Sequence, residues 1–219
     1  MTEKIFITGG SGLLGVNWAV AMRDSHKIIL GLNERDVSLE GVRTQKIDLE
    51  SVEHITKAFE ESGATTIVHA AGFTNVELCE ENQVTARQVN INLANNVAKA
   101  SAQMSLPLIH ISTDHLHSGR LSMQNEGSTL SPMNVYGQTK AEAETYVLES
   151  NPSALVLRTN FFCWGTSYRH SFSDRIIASL RAGKKLKLFT DVYYTPILAE
   201  ALANAAHDLV KLRVSGVVN

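Results

Sequence analysis

The stretch that decides the fold runs from Ile5 to Gly15 and reads Ile-Phe-Ile-Thr-Gly-Gly-Ser-Gly-Leu-Leu-Gly. Its first three residues predict a short buried strand, and Leu13–Met22 carries apolar residues at helical spacing. The glycines between them predict a tight turn from strand to helix. Such a turn leaves the first N–H groups of the helix unpaired, and glycine lets a pyrophosphate approach without meeting a Cβ atom. The stretch therefore predicts a dinucleotide-binding site.

The glycine spacing fits two fingerprints. Gly10, Gly12 and Gly15 satisfy G-x-G-x-x-G, whereas Gly9, Gly12 and Gly15 satisfy T-G-x-x-G-x-x-G. We assign the phosphate-binding turn to Gly9, Gly12 and Gly15, together with Leu13 and Leu14. A turn that merely connects a strand to a helix would contain the same glycines, so the assignment depends on the rest of the chain.

The composition narrows the class of protein. The 219 residues, 44% of them apolar, suit one large domain or somewhat more, with a substantial core. The net charge is -2 with both signs interspersed, so we expect no nucleic-acid partner and no anionic lipid surface. The two cysteines, Cys79 and Cys163, lack C-x-x-C spacing and suit a reducing compartment. With no leader peptide and no membrane-spanning stretch in view, we expect a cytoplasmic protein without a membrane partner.

Strands and helices alternate along the chain, which predicts an α/β fold with a Rossmann-like, doubly wound parallel sheet. Beyond the first strand and helix, the predicted strands are 26–32, 42–47, 65–69, 108–111 and 215–219. One helix is predicted to start at Ser51, a suitable N-cap, and the other main predicted helices are 84–104, 135–148, 174–182 and 197–209. We assign residues 1–160 to an NAD(P)-binding domain to which 190–219 return. Residues 161–189 would form part of a small, incomplete substrate-binding region.

The second strand ends at Asn33-Glu34-Arg35, where a dinucleotide fold places the residues that meet the adenosine ribose. A carboxylate there favours the 2′-hydroxyl of NAD, and an arginine favours the 2′-phosphate of NADP. We assign Asn33 and Arg35 to the cofactor site and favour NADP, while Glu34 keeps NAD possible. A solvated turn would explain the two charged residues nearly as well.

Two further segments complete the predicted cofactor site. Asp48, followed by Leu49, could accept a hydrogen bond from the adenine amino group. Small residues at the carboxyl end of the fourth strand let the backbone pass against a bound cofactor, and we assign that role to Ala70, Ala71 and Gly72. His69, just before them, is interpreted as a strand histidine and not as a catalyst.

Tyr136 and Lys140 stand four residues apart at the start of a predicted helix. Residues at this spacing share one helical face, so the ammonium of Lys140 can lie near the phenol of Tyr136. A nearby cation would lower the pKa of the phenol, which could then act as an acid or base in carbonyl reduction. The same pair is common on exposed helices. The pair indicates a catalytic site only because it follows a nucleotide-binding fingerprint and a strand that ends in Ser112-Thr113.

Taken together, these motifs resemble the extended short-chain dehydrogenase/reductases, and among them the dTDP-4-dehydrorhamnose reductases. The segments that carry the resemblance are 8–15, Asp48-Leu49, His69–Gly72, Thr74–Glu77, Ser112–Asp114, Pro132–Lys140, Arg158–Asn160 and Asp191–Pro196. The resemblance implies that Tyr136 is the proton donor, that Lys140 binds the nicotinamide ribose and that Thr113 bonds the sugar carbonyl oxygen. It implies hydride transfer from NAD(P)H to the C4 keto group of a nucleotide-linked deoxysugar, in a protein that could be a homodimer.

The chain departs from that pattern in two places. His115 stands where related dehydratases carry a glutamate base and the reductases a tyrosine, and His117 replaces a phenylalanine. We interpret both as loop histidines and predict no metal site. The sequence also stops at Asn219, where family members continue, so we expect a truncated or a naturally short form. These departures support an alternative, in which the protein is a non-catalytic, NAD(P)-binding regulatory subunit of a partner enzyme.

Overall fold

Eight parallel strands form one sheet in the computed structural model, which describes residues 3–219. The strands are β1 (Lys4–Thr8), β2 (Lys27–Leu32), β3 (Arg43–Lys46), β4 (Thr66–His69), β5 (Leu108–Thr113), β6 (Leu155–Phe162), β7 (Pro196–Leu198) and β8 (Gly216–Val218). Their order is β3-β2-β1-β4-β5-β6-β7, and β8 pairs with the first half of β6. The order reverses between β1 and β4, which is where open α/β sheets bind their ligands. The predicted doubly wound parallel sheet is confirmed.

The helices lie on both sides of this sheet. They are α1 (Leu13–Met22), α2 (Val52–Ser62), α3 (Val76–Glu81), α4 (Gln83–Arg87), α5 (Leu93–Gln103), α6 (Val135–Ser150), α7 (Phe172–Arg181) and α8 (Ala199–Lys211). Because side chains alternate along a strand, Ile5 and Ile7 of β1 pack in one core with α1 and α8. Phe6 faces the other way, into a core shared with α2, α5 and α6.

Side-chain caps fix where several helices begin. Ser51 accepts a hydrogen bond from the backbone N–H of His54 and starts α2, as the sequence predicted. Asn134 accepts from the N–H of Gly137 and starts α6, which sets the orientation of the first turn that carries Tyr136.

Two predicted helices differ from the structure. The stretch 84–104 is interrupted by a π-helical turn at Gln88–Asn92, around Asn90, which is buried and bonded to the backbone of Phe73. The helix predicted at 197–209 begins at Ala199 instead, because Pro196–Leu198 pairs with Asn160–Phe162 as a strand. Across residues 3–219, every helix is too short or too polar to cross a bilayer.

Candidate active site

A cavity of about 600 Å³ opens at the carboxyl ends of β1, β2, β4 and β5. Thirteen of the predicted site residues line it: Gly9, Gly12, Leu13, Leu14, Asn33, Arg35, Asp48, Leu49, Ala70, Ala71, Gly72, Tyr136 and Lys140. The structure thus brings the glycine turn, the end of β4 and the Tyr-Lys pair of α6 into one space. Two predicted residues, Gly15 and Thr113, lie outside the lining.

The glycine turn fits tightly against the end of β4. Gly9 has φ +71°, and a Cβ atom there would lie 2.6 Å from the backbone nitrogen of Ala71. Gly15 supports the turn from below, since its Cβ would lie 2.7 Å from the carbonyl oxygen of Gly9. Gly10 is not part of the cavity lining, and its N–H donates to the carbonyl of Gly31. This geometry favours the fingerprint of Gly9, Gly12 and Gly15 over the one that uses Gly10.

The first turn of α1 faces the cavity without a side-chain cap. Gly12 is its N-cap residue and has no side chain to bond the helix, and the turn contains no acidic residue. The N–H groups at a helix start are available to an anion, and the helix dipole favours negative charge there. Leu13 and Leu14, the first two residues of the helix, line the cavity. This end of the cavity can therefore hold phosphate groups.

The opposite end of the cavity contains the residues expected to meet the adenosine. Lys46 fixes the loop after β2, because its ammonium donates to the carbonyls of Asn33 and Glu34 at 2.6 and 2.9 Å. The guanidinium of Arg35 lies 4.6 Å from the ring centre of Tyr168. The Asp48 carboxylate accepts from the N–H of Glu50, which lowers its pKa, so it remains an ionised acceptor.

Lys140 lies at the back of the cavity and is only 5% exposed. Its ammonium donates to the carbonyl oxygen of Ile111 at 2.7 Å and lies 3.3 Å from Nε2 of His110. Burial lowers the pKa of Lys140 to about 8, against the opposing effect of the Glu144 carboxylate. The lysine is therefore charged at neutral pH, but within reach of titration.

Tyr136 is the other polar side chain of α6 at the cavity wall. Burial raises the pKa of its phenol to about 12, and the neighbouring Thr113 hydroxyl lowers it by less. The expectation that Lys140 would lower this pKa is wrong here, because burial of the phenol outweighs the groups that lower its pKa. The phenol is protonated at neutral pH and so has a proton to donate, but the raised pKa makes it a weaker acid than an exposed tyrosine.

Thr113 ends β5 beside Tyr136 but is buried. Its hydroxyl accepts from the N–H of His115 at 3.2 Å and lies 3.4 Å from the Asp114 carboxylate. The ring of His115 meets the edge of Tyr136 with centroids 5.8 Å apart. Within 3–219, His115 and His117 belong to no group of three or more side chains that could hold a metal ion.

The segment between β6 and α7 crosses the cavity. The hydroxyl of Tyr168 donates to the carbonyl of Ser11 in the glycine turn, and Arg169 reaches the Thr74 hydroxyl at 3.5 Å. The sequence indicated that these residues belong to the substrate region but gave no sign of contact with the turn, because 157 positions separate Tyr168 from Ser11. Tyr168 and Arg169 thus line the same cavity as the glycine turn, although the sequence motifs predicted them only as part of the substrate-binding region.

Comparison with known proteins identifies the family. Residues 3–217 match the model of the RmlD substrate binding domain. The chain belongs to this family. The RmlD-family assignment agrees with the resemblance to dTDP-4-dehydrorhamnose reductases that the sequence motifs indicated, and confirms it.

Three relatives illustrate how far the similarity extends. A probable low-salt glycan biosynthesis reductase of Haloferax volcanii is 29% identical over 96% of this chain and 72% of its own length. The methionine adenosyltransferase 2 subunit beta of Rattus norvegicus is 32% identical over 72% of this chain. The aligned part covers 46% of that protein, about half of its length. The crystal structure of a hypothetical dTDP-4-dehydrorhamnose reductase of Sulfolobus tokodaii is 28% identical, with a TM-score of 0.83 over 98% of this chain and 74% of that one. The RmlD fold is therefore shared along nearly the whole chain.

Proposed function

We propose that this protein is an NAD(P)H-dependent reductase of the C4 keto group of a nucleotide-linked deoxysugar. The observation that carries the proposal is that Tyr136 and Lys140 line the same cavity as the glycine turn. The similarity to a reductase of Haloferax volcanii and to a hypothetical dTDP-4-dehydrorhamnose reductase supports the reaction class. We assign 1–160 and 190–219 to cofactor binding, and 161–189 to the substrate side.

The cavity suits a dinucleotide at both ends. At one end, Gly9 and Gly12 line the cavity next to the uncapped start of α1, whose free N–H groups would bind the pyrophosphate. At the other, Arg35 supplies a cation for a 2′-phosphate and Asp48 an acceptor for the adenine amino group. We therefore propose NADP as the cofactor, with NAD as the alternative because Glu34 adjoins Arg35.

The side chains of α6 and β5 can complete a carbonyl reduction. A bound reduced nicotinamide would supply the hydride. Tyr136, whose phenol is protonated at neutral pH, donates the proton to the substrate oxygen. The Thr113 hydroxyl lies next to that phenol but outside the cavity lining, so it would bond the same oxygen only after turning its hydrogen away from the Asp114 carboxylate. Lys140 keeps a charged N–H at the wall for a ribose hydroxyl.

The test is a titration of the purified protein with NADPH and NADH, followed by addition of a dTDP-4-keto-6-deoxysugar. Loss of reduced-nicotinamide absorbance that depends on the sugar would support the proposal, and comparison of the two affinities would settle the cofactor preference. The matched pair of variants is Tyr136→Phe and Tyr146→Phe, since Tyr146 lies on the same helix but is exposed. Only the first should slow the oxidation strongly.

One observation favours a second candidate function. The subunit beta of a methionine adenosyltransferase has 32% identity over 157 residues, a similarity that fits a regulatory protein as well as an enzyme. In this alternative the cavity would bind NAD(P) without turnover, and a partner enzyme would be the target. Cofactor binding without any sugar-dependent oxidation would favour the regulatory role over the reductase.

A further inference from the structure

His110 lies behind the cavity, on β5, and contacts the lysine of the Tyr-Lys pair. The imidazole is fully buried, and its Nε2 is 3.3 Å from the Lys140 ammonium. On its other side, its ring stacks on that of His69, with centroids 5.3 Å apart and an interplanar angle of 16°. The Nδ1 atom of His110 has no hydrogen-bond partner among residues 3–219. The main polar contact of this imidazole is therefore the lysine.

The hydrogen-bonding capacity of Lys140 explains why this contact matters. An ammonium has three N–H donors and no acceptor. One N–H bonds the carbonyl oxygen of Ile111 at 2.7 Å, and a second points to Nε2 of His110. The third remains for a ligand, because Lys140 lines the cavity.

We propose that His110 is a positioning residue for Lys140. Nε2 of His110 accepts a hydrogen bond from the ammonium and so directs another ammonium N–H toward a ribose hydroxyl in the cavity. The proposal rests on the proposed function only for the identity of that ligand. The contact itself is a property of the free protein. His110 must then carry its own proton on Nδ1 whenever Lys140 is charged, since an ammonium cannot accept.

The other groups around Lys140 do not replace this acceptor. Glu144, one turn further along α6, is taken up by Arg158 of β6, with Oε2 and Nη2 2.7 Å apart, and by the Ser112 hydroxyl. His69 of β4 bonds the Thr8 hydroxyl through Nδ1, and burial lowers its pKa to about 3, so it is neutral. Burial also lowers the pKa of His110 well below its usual value, which leaves it a neutral acceptor.

The first experiment observes His110 directly in the protein without cofactor. Histidine ¹⁵N resonances distinguish the two neutral tautomers, and His110→Gln identifies the signal. At pH 6.5 we expect Nδ1 protonated and Nε2 unprotonated, with both resonances changing as Lys140 titrates near pH 8. A proton on Nε2 at pH 6.5 would overturn the proposal, because that atom could not then accept from the ammonium.

The second experiment compares NADPH affinity against pH in three proteins. His110→Phe keeps a ring against His69 but removes the acceptor, whereas His110→Gln keeps an acceptor near the position of Nε2. A hydrogen bond accepted by His110 favours the charged form of Lys140, so loss of that bond in His110→Phe should lower the pKa of Lys140. The pH midpoint of the fall in NADPH affinity should then be about one unit lower than in the unaltered protein. His110→Gln should stay close to the unaltered protein, and an unchanged midpoint in His110→Phe would refute the positioning role.

The controls separate this inference from the proposed function. His69→Phe changes the stacking partner without touching the ammonium, so the midpoint should not move; an equal shift would assign the effect to general repacking. If the protein binds no NADPH, the proposed function fails, but the NMR result still decides the hydrogen bond. If His110→Phe does not fold, the tautomer measured in the unaltered protein decides the proposal.

Discussion

Replacing Gly9 by alanine tests whether the turn fits against β4 as closely as the structure shows. The added Cβ would lie 2.6, 2.7 and 2.8 Å from three backbone atoms of Ala70 and Ala71. None of these belongs to a side chain that could rotate away. The residue also has φ +71°, which a side chain disfavours.

Two costs add at this position. The left-handed conformation costs a non-glycine residue roughly 1–2 kcal/mol. Forcing a methyl group against fixed backbone costs about 1–3 kcal/mol more. A variant at Gly41 measures the first cost alone, because Gly41 has φ +77° and a Cβ atom there would have no heavy atom within 4 Å. We therefore expect a loss of about 2–5 kcal/mol for Gly9→Ala and only about 1–2 kcal/mol for Gly41→Ala.

Urea unfolding of both variants at one pH gives the two free energies of unfolding, provided that the m-value stays constant. The Gly9 variant should also bind NADPH more weakly, whereas the Gly41 variant should bind it normally. Equal destabilisation of the two variants would refute the close packing of the turn on β4. The positive φ angle would then be the only reason for a glycine at position 9.

Four further predictions address the site and its support. Arg35→Ala should weaken NADPH by about 10-fold to 100-fold and NADH much less, because the guanidinium would bond only the 2′-phosphate; equal losses in both titrations would remove Arg35 from that role. Tyr136→Phe should lower kcat by about 10²–10⁴ while NADPH affinity holds, and full turnover would exclude Tyr136 as the donor. Glu144→Gln should destabilise the fold by about 3–5 kcal/mol, since it leaves the buried Arg158 unpaired, whereas Glu142→Gln in the exposed pair with Arg87 should cost about 1 kcal/mol or less by chemical denaturation. Burial lowers the pKa of His69 to about 3 and of His207 to about 4 in the folded protein, whereas the same histidines have a pKa of about 6.5 in the unfolded chain. The unfolded chain therefore binds more protons below pH 6.5, and the free energy of unfolding should fall from pH 6.5 toward pH 4. A flat profile of the free energy of unfolding would contradict the burial of these rings.

The local sequence predicted the elements whose signals are local. The helix Leu13–Met22 has the predicted bounds, and Ser51 caps α2, because glycine turns and N-caps act within a few residues. The apolar runs likewise located β1, β2 and β4 to within about a residue. The cavity lining followed from the rule that parallel strands present their carboxyl ends at one edge.

The remaining features depend on contacts between distant segments. The strand at Pro196–Leu198 exists because β6 offers an edge, which the helical periodicity of 197–209 could not reveal. The π-helical turn includes Asn90, whose side chain bonds the backbone of the distant Phe73. The raised pKa of Tyr136 depends on burial of the phenol, which the spacing of four residues does not reveal.

The most direct test of the reductase proposal uses NADPH carrying deuterium at the transferable position of the nicotinamide, with a dTDP-4-keto-6-deoxysugar and the purified protein. Mass spectrometry and NMR of the sugar product report where the label goes. The proposed function predicts one deuterium at C4 of the sugar, and labelling that is slower by about 10²–10⁴ with Tyr136→Phe under the same conditions. An unlabelled, unreduced sugar in the presence of bound NADPH would contradict the reductase function.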